Sequence, residues 1–544
     1  MSNTPSDKSV ASVNRRWRGA SILIVIAIII QAFRILTVTA SNGETPFLSA
    51  NDRSRWCTIA SLIEDQSFVI DRLNDIRDSS GKSRTWYSID MVRKPEADGT
   101  EHYYSSKPPL LSVLYACVCS PLTVVLNRRL SAEPLMVGRS FLLIVNLLPL
   151  ALLWFAFAGW IRRSVDDTWS RWVLLIIVLF GTFLSTFNNT LNNHFPAAFC
   201  MIASLWCLEC LLEGPSHSIS TYLALGFFAA LTAAFELPAL AWLCMVVGLV
   251  GLRLGIQSAV LTASGGLPVA IAFAITNFIA YGDLQPPYAH REVLGPQLAI
   301  VKSTQVLSAS DTPLIADLRA MIAEAKLPIA EPLALRSARR AQTWELSGTH
   351  PQHSEQKTRL ALVPTKDGFA VHRWNDWYDY PKSYWLPENK RGVDLGEPSR
   401  MKYAFHVLIG HHGVFSLTPF WLVSLVGSVV LLSRTGSNHR WWLGVAITLV
   451  SFVCIAFYLT RPLIDRNYGG VCSGFRWSFW LAPAWIWLAV PGLEAIRRSF
   501  WGRWLVMIAV AISIYSATYP CVSTDARPAN PWQHPWIYTW TLAK

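Results

Sequence analysis

Apolar runs long enough to cross a bilayer recur from Ala20 to Tyr519, broken by two long polar stretches at 41–110 and 281–402. The pattern predicts helices near 19–40, 138–160, 172–187, 194–212, 219–236, 237–254, 258–280, 414–433, 441–459, 477–493 and 502–519. Runs of this length, nearly free of charge, are the mark of membrane-spanning helices. The least regular is 219–254, with Glu236 at its centre and Pro238 just after. As one helix it would run roughly 54 Å at about 1.5 Å per residue, against about 30 Å of bilayer core, so two helices meeting at Glu236 fit better.

Charge sets the orientation. With the amino terminus inside, the eleven helices place Arg162, Arg163, Arg171, Arg253, Arg434, Arg440, Arg497, Arg498 and Arg503 in inner loops. That agrees with the bias of Lys and Arg toward the cytoplasmic side. The segment "KPPLLSVLYACVCSPLTVVLN" at 107–127 poses the alternative of a twelfth span. Counting it would invert everything that follows, so it is expected to lie on the outer surface, its prolines opening a helix. The fold expected is an all-α polytopic membrane protein of about eleven spans. It would have juxtamembrane helices in a first outer loop, 41–137, and a small extracytoplasmic α or α+β insertion at 281–402. Residues 1–280 then carry helices one to seven, 403–519 the last four, and 520–544 an outer tail.

Composition adds little to this picture. The chain of 544 residues is 52% hydrophobic and 15% charged, and its 25 Trp and 25 Phe suit helix ends anchored at an interface. The net charge of +12 comes from arginines beside apolar runs, with no lysine-rich block, so nucleic acid is not implied as a partner. Ten cysteines show no metal-ligand spacing, and Cys207 and Cys210 form a CxxC within an apolar helix. Whether Cys57, Cys472 and Cys521 pair is left open.

The polar clusters converge on one side. "SANDRSRWCTIASLIED", Lys107, "TFNNTLNNHFP" at 186–196, Glu236, "YGDLQPPYAHRE", "FHVLIGHHG" and "DRNYGGVCSGFRW" all fall in outer loops. Such convergence predicts a polar site at the outer membrane boundary. Each residue also has a plainer reading. Asp52 could cap the helix that follows it, Lys107 could snorkel, and His194 could be a bonded helix start. Tyr468-Gly469-Gly470 reads first as a turn, and Arg476 as an interfacial charge. A carboxylate, a lysine and an arginine at a lipid boundary suit transfer from a lipid-linked phosphate. The carboxylate takes a proton from an acceptor hydroxyl, and the cations neutralise the departing phosphate.

"DRSRWCTIASLIED" followed by "YYSSKPPLLSVLYA" resembles the first outer loop of the GT-C glycosyltransferases, notably bacterial aminoarabinose transferases and protein O-mannosyltransferase-like enzymes. Asp52, Arg55 and Trp56 match the family's Asp, Arg and aromatic positions, and Lys107, Pro108 and Pro109 its second element. Arg139 resembles the arginine that begins the next span, and "NYGGVCSGFRW" a later Gly-Gly and Arg element. The resemblance covers helices one to seven in order. It implies a GT-C-like enzyme of the bacterial inner membrane that transfers a sugar, with inversion, from a polyprenyl-phosphate donor to an extracytoplasmic acceptor. Asp52 would be the base or acceptor-orienting carboxylate. Lys107, Arg476 and Arg139 would contact the donor phosphate. Arg55, Asn193, His194, Glu236 and Tyr468 would shape the substrate site. Trp374, Trp377, Tyr378 and Trp385 could stack on an acceptor or simply pack within the insertion.

Two departures stand out. The family's second acid is Arg53 here, which weakens any metal site built on two carboxylates, and adjacent histidines such as His411 and His412 rarely share one ion. No cofactor is assigned from the sequence, with a divalent metal as the less favoured alternative. The outer end of the fourth helix offers Asn192, Asn193 and His194 where relatives often carry an Asp. The rival class is a transporter or lipid flippase, which would call for midplane charges and internal repeats; neither is evident. A non-catalytic membrane scaffold is the third alternative.

Overall fold

The computed structural model describes residues 7–96, 100–214, 218–302, 315–338, 340–434, 438–524 and 528–542. The chain divides into two compact units. The first comprises Met1–Asp52, Cys117–Phe273 and Gly392–Lys544, and the second Arg53–Ala116 and Ala274–Arg391.

The first unit is a bundle of apolar helices. Among the described residues nine helices of the chain are long and apolar enough to cross a membrane. All eleven segments expected from the sequence are helical, but Ile219–Phe235 and Trp421–Ser433 are shorter than a span. The second shortfall has a local cause. Helix Val414–Leu417 stops at Thr418, because Pro419 disfavours helical backbone in the residue before it, and the chain restarts at Trp421. At 219–254 the chain does break at Glu236. Helix Ile219–Phe235 ends there, and a short turn, Leu237–Ala239, leads into Leu240–Leu254. Small residues let these helices approach closely. A Cβ on Gly226 would meet the Thr262 carbonyl, and one on Gly427 the Leu488 carbonyl.

Pro134–Ser164 holds one turn of π-helix, Leu143–Leu147, just ahead of Pro149, and Asn146 lies in that turn. The asparagine side chain donates to the carbonyls of Asn188 and Thr190, 2.8 and 3.0 Å away. Arg34, near the end of the first helix, donates to the carbonyls of Ser185 and Thr186 at 2.7 and 2.8 Å. Two polar side chains of membrane helices thus clamp the short helical turns Phe183–Thr186 and Phe187–Asn189, and the extended Thr190 after them, that lead to His194.

The second unit adds a sheet, the α+β alternative of the two expected for the insertion. Residues 281–402 contain a five-stranded antiparallel sheet, ordered Gln297–Lys302, Gly368–Arg373, His353–Thr365, Trp344–His350 and Ala330–Ser337. Its core holds Val301, Leu346, Leu360, Leu362, Phe369 and Val371, with Met321 of helix Ile315–Glu324. The insertion is therefore α+β with the sheet dominant. The apolar runs in "RLALVPT" and "GFAVHR" are unbroken and short, with Leu360, Ala361, Leu362, Phe369, Ala370 and Val371 all buried, so they show no alternation and are too brief to read as spans. The first loop also forms a hairpin, Met91–Pro95 with Glu101–Ser105, beside the expected helix Ala50–Glu64. Helix Leu110–Leu126 follows Pro108-Pro109, as the proline pair predicts.

Candidate functional site

The site lies within the first unit. His194 opens helix His194–Glu213, and Asn192 prepares that start by accepting the Phe195 N–H on Oδ1 at 2.9 Å. Glu236 terminates Ile219–Phe235, where the broken helix turns its carboxylate inward. His194 Nδ1 pairs with Glu236 Oε1, and both side chains are buried. Asn193 Nδ2 donates to the same carboxylate oxygen at 2.6 Å and to the Phe235 carbonyl at 2.9 Å. Arg476 Nη1 meets His194 Nε2 at 2.7 Å. A guanidinium only donates, so Nε2 is the acceptor and the neutral imidazole carries its proton on Nδ1, toward Glu236.

Gly469 makes the arginine's position possible. Its φ is +95°, and a Cβ there would lie 2.6 Å from Arg476 Nε. The bare backbone instead receives the Nε–H on its carbonyl at 2.5 Å. Nε and Nη1 are thereby engaged, and among the described residues Nη2 of this half-exposed side chain has no partner. The Trp532 ring supports the guanidinium from one face, 5.1 Å from its centre.

Asp52 belongs to the same unit but has a different character. It is fully buried, with Oδ1 accepting the Ser49 N–H and Oδ2 the Leu48 N–H, both at 2.9 Å. Ser49 Oγ accepts the Asp52 N–H at 3.1 Å, which completes a reciprocal capping box at the start of Ala50–Glu64. Thr190 Oγ donates to Oδ2 at 2.7 Å, and Trp532 Nε1 donates to Thr190 Oγ at 3.0 Å. Every oxygen of this carboxylate is occupied by a protein donor.

The remaining residues disperse. Arg139 spends Nε and Nη2 on the Val38 carbonyl, at 2.9 and 2.7 Å, tying the end of the first helix. Tyr468 is buried, its ring stacked on His412 at 4.4 Å. Lys107 and Arg55 belong to the second unit. Lys107 Nζ pairs with Asp90 at 2.8 Å, and Arg55 is buried in its helix. Trp374, Trp377 and Tyr378 are buried as well, and their faces are taken. Trp374 lies under Arg359 at 4.4 Å, Trp377 stacks on His290 at 3.6 Å, and Tyr378 meets the edge of Trp385. Packing is what these aromatics do here. Cys57, Cys472 and Cys521 are thiols not joined by disulfides, and each donates to a backbone carbonyl, of Trp86, Gly474 and Ala517 in turn.

An apolar pocket adjoins the polar centre. Phe183, Leu417, Trp421, Phe475, Phe479 and Trp485 line it. Phe479 is the shared wall, stacked on Phe183 at 5.0 Å and edge-on to His194 at 6.3 Å. Among the described residues no group of three His, Cys, Asp or Glu has the spacing to hold a metal ion. The arrangement offers a carboxylate-braced imidazole and a guanidinium with a spare donor, next to an apolar recess.

Sequence reasoning passed over Thr190, Trp532, Asn146 and Arg34. Thr190 stands in the polar run "TFNNTLNNHFP", whereas Trp532, in the tail, carries no local signal.

No family model matches the chain, and no curated protein matches it. Among solved structures it is similar to an archaeal oligosaccharyltransferase from Archaeoglobus fulgidus in complex with an inhibitory peptide and a dolichol-phosphate. That pair shares 11% identity over 91% of this chain and 55% of the other, with a TM-score of 0.38. It is also similar to the S. cerevisiae protein O-mannosyltransferase complex bound to the sugar donor, at 11% identity over 92% and 89% of the two chains and a TM-score of 0.42. The chain spans about half the length of the archaeal enzyme.

Proposed function

We propose that the protein is a membrane glycosyltransferase of the GT-C type. It would transfer a sugar from a polyprenyl-phosphate donor to an extracytoplasmic lipid, glycan or protein acceptor, in the bacterial inner membrane with the site facing outward. The carrying observation is the Glu236–His194–Arg476 relay beside the apolar pocket at Phe479. An amphipathic donor needs both, a cation for the phosphate and an apolar wall for the first isoprene units.

In this reading the phosphate takes Arg476 Nη2 and draws the guanidinium away from His194 Nε2. The freed nitrogen then accepts the proton of the acceptor hydroxyl. The acceptor oxygen bonds to the sugar's anomeric carbon from the face opposite the phosphate, whose C–O bond breaks, and the configuration inverts. Glu236 stabilises the imidazolium that forms, and Arg476 the departing phosphate. Asp52 serves as an orienting carboxylate acting through Thr190.

The test is transfer of radiolabelled sugar from polyprenyl phosphates by the purified protein, compared with Arg476→Ala and Glu236→Gln. Transfer that persists in both variants removes the relay from the mechanism. No transfer by wild type from any such donor, with vectorial movement of lipid in proteoliposomes instead, favours the flippase reading.

A further inference from the structure

The tail beyond the last span is built into the site through one residue. Trp532 is 9% exposed and makes three contacts of different kinds. Its Nε1–H reaches Thr190 Oγ, its face lies on Arg476, and its edge meets Phe187 at 5.2 Å and 87°. Neighbouring residues anchor it: the Ser473 N–H donates to the Pro531 carbonyl at 3.1 Å, and Asn530 Nδ2 to the Leu48 carbonyl at 3.3 Å. Those anchors hold the residue after Cys472 and the residue before the Asp52 capping box. One side chain therefore touches both halves of the polar centre.

We propose that Trp532 is a positioning residue for anion binding at Arg476, coupled through its N–H to Thr190 and Asp52; this rests on the glycosyl-donor reading above. The indole N–H occupies a lone pair of Thr190 Oγ, so the hydroxyl hydrogen is directed at Asp52 Oδ2 and not toward the arginine. The ring face attracts the guanidinium and holds its plane, which keeps Nη2 outward for a phosphate oxygen. Without the ring, Arg476 keeps its charge but loses its orientation. The effect belongs in the affinity for a phosphate-bearing lipid.

The probe is radiolabelled farnesyl phosphate, whose binding to the full-length detergent-solubilised protein needs no sugar transfer. Trp532→Leu removes both the ring and the donor, Thr190→Val removes the receiver alone, and the double variant tests coupling. Trp532→Leu is expected to weaken binding by about tenfold, within the range of a desolvated cation–π contact, Thr190→Val by less, and the double variant by little more than Trp532→Leu. Thermal unfolding is followed in parallel. Trp532→Met is measured beside Trp532→Leu, so that a folding failure in one leaves the other to decide. If wild type binds and both Trp532 variants bind equally well, the positioning role is wrong while the donor reading stands. Additive losses in the double variant overturn the coupling as well. If wild type does not bind farnesyl phosphate, the donor reading fails and this inference with it.

Discussion

Arg476 Nη1 lies 2.7 Å from His194 Nε2, although 282 residues separate the two in the chain. This contact turns two unremarkable residues, an arginine after a glycine turn and a histidine at a helix start, into a relay that ends on Glu236. The predictions follow from what each part of that relay would lose.

Glu236→Gln keeps an acceptor for the His194 Nδ1–H and for Asn193 Nδ2, so the fold should hold. It removes the charge that would stabilise an imidazolium. Turnover is expected to fall by about a hundredfold, within the usual range for acid–base groups, at near-normal thermal stability. A loss below threefold in steady-state assays would take His194 out of the base role.

Asp52→Asn separates a base from a cap. Both carboxylate oxygens accept backbone N–H groups, so an amide NH₂ must face one of those donors. The variant is expected to lose about 1–3 kcal/mol of stability, the cost of a buried group left unmatched. Denaturation should show that loss, and Ser49→Ala should show a smaller one, about 1 kcal/mol. Unchanged stability with lost turnover would return Asp52 to the position of base.

Gly469→Ala and Gly470→Ala form an internal control. Both residues have positive φ, +95° and +76°, so each change strains the backbone by about 1–2 kcal/mol. A Cβ at Gly470 meets open space, whereas one at Gly469 strikes Arg476. Gly469→Ala alone should lower transfer, at a similar shift in melting temperature. Equal activities would mean the arginine's placement is not critical.

Lys107→Ala should abolish transfer if the ammonium reaches a phosphate, and it leaves Asp90 without its ion pair. Lys107→Ala combined with Asp90→Asn removes that second effect. Stability should recover in the double variant while transfer stays absent. Lys107→Arg should retain part of the activity, since charge survives in a planar head. Recovery of transfer in the double variant would make the pair structural.

His406, His411, His412 and His534 form a cluster with Tyr468 and Tyr538, and Glu397 and Lys402 are the charges that act on it. Burial lowers all four histidines from the ordinary 6.5, His411 to about 3. The unfolded chain takes up protons below 6.5 while the folded one resists. Stability is therefore complete above pH 6.5 and declines as pH falls toward the folded values, by at most about 1.4 kcal/mol per pH unit for the buried His412 and by less for the other three, which solvent screens. Melting temperature measured from pH 7.5 to 4.5 should fall, and His412→Phe should flatten the slope. A profile that does not differ from wild type would remove His412 from the acid sensitivity.

Much of the architecture is decided by local chemistry, and so it was legible in the residues. Runs such as "SILIVIAIIIQAF" form helix because no other backbone satisfies its polar groups in lipid. Glu236 beside Pro238, in a stretch too long for one span, marks a helix break, and Pro108-Pro109 sets where Leu110–Leu126 begins. The clustering of polar residues in alternate loops marks where a site belongs. The reading failed where a period was short or a partner distant. The insertion is expected as α or α+β, but its strands are not placed, because an unbroken apolar run as short as "LALV" reads equally as strand or buried helix. The span expected at 414–433 is split, because Pro419 stops its first turn at Thr418 and the helix restarts at Trp421.

Only tertiary structure decided the parts of the site. Asp52 looks alike as cap or base until Ser49, Leu48 and Thr190 are found on its oxygens. The aromatics of "HRWNDWYDY" suit a sugar until Arg359 and His290 cover their faces. Trp532 has no motif at all, since its role depends on Thr190 and Arg476, 342 and 56 residues away in the chain (532−190 and 532−476). Local sequence sets backbone preference and polarity within a few residues, whereas the protonation and reach of a side chain depend on neighbours that only folding supplies.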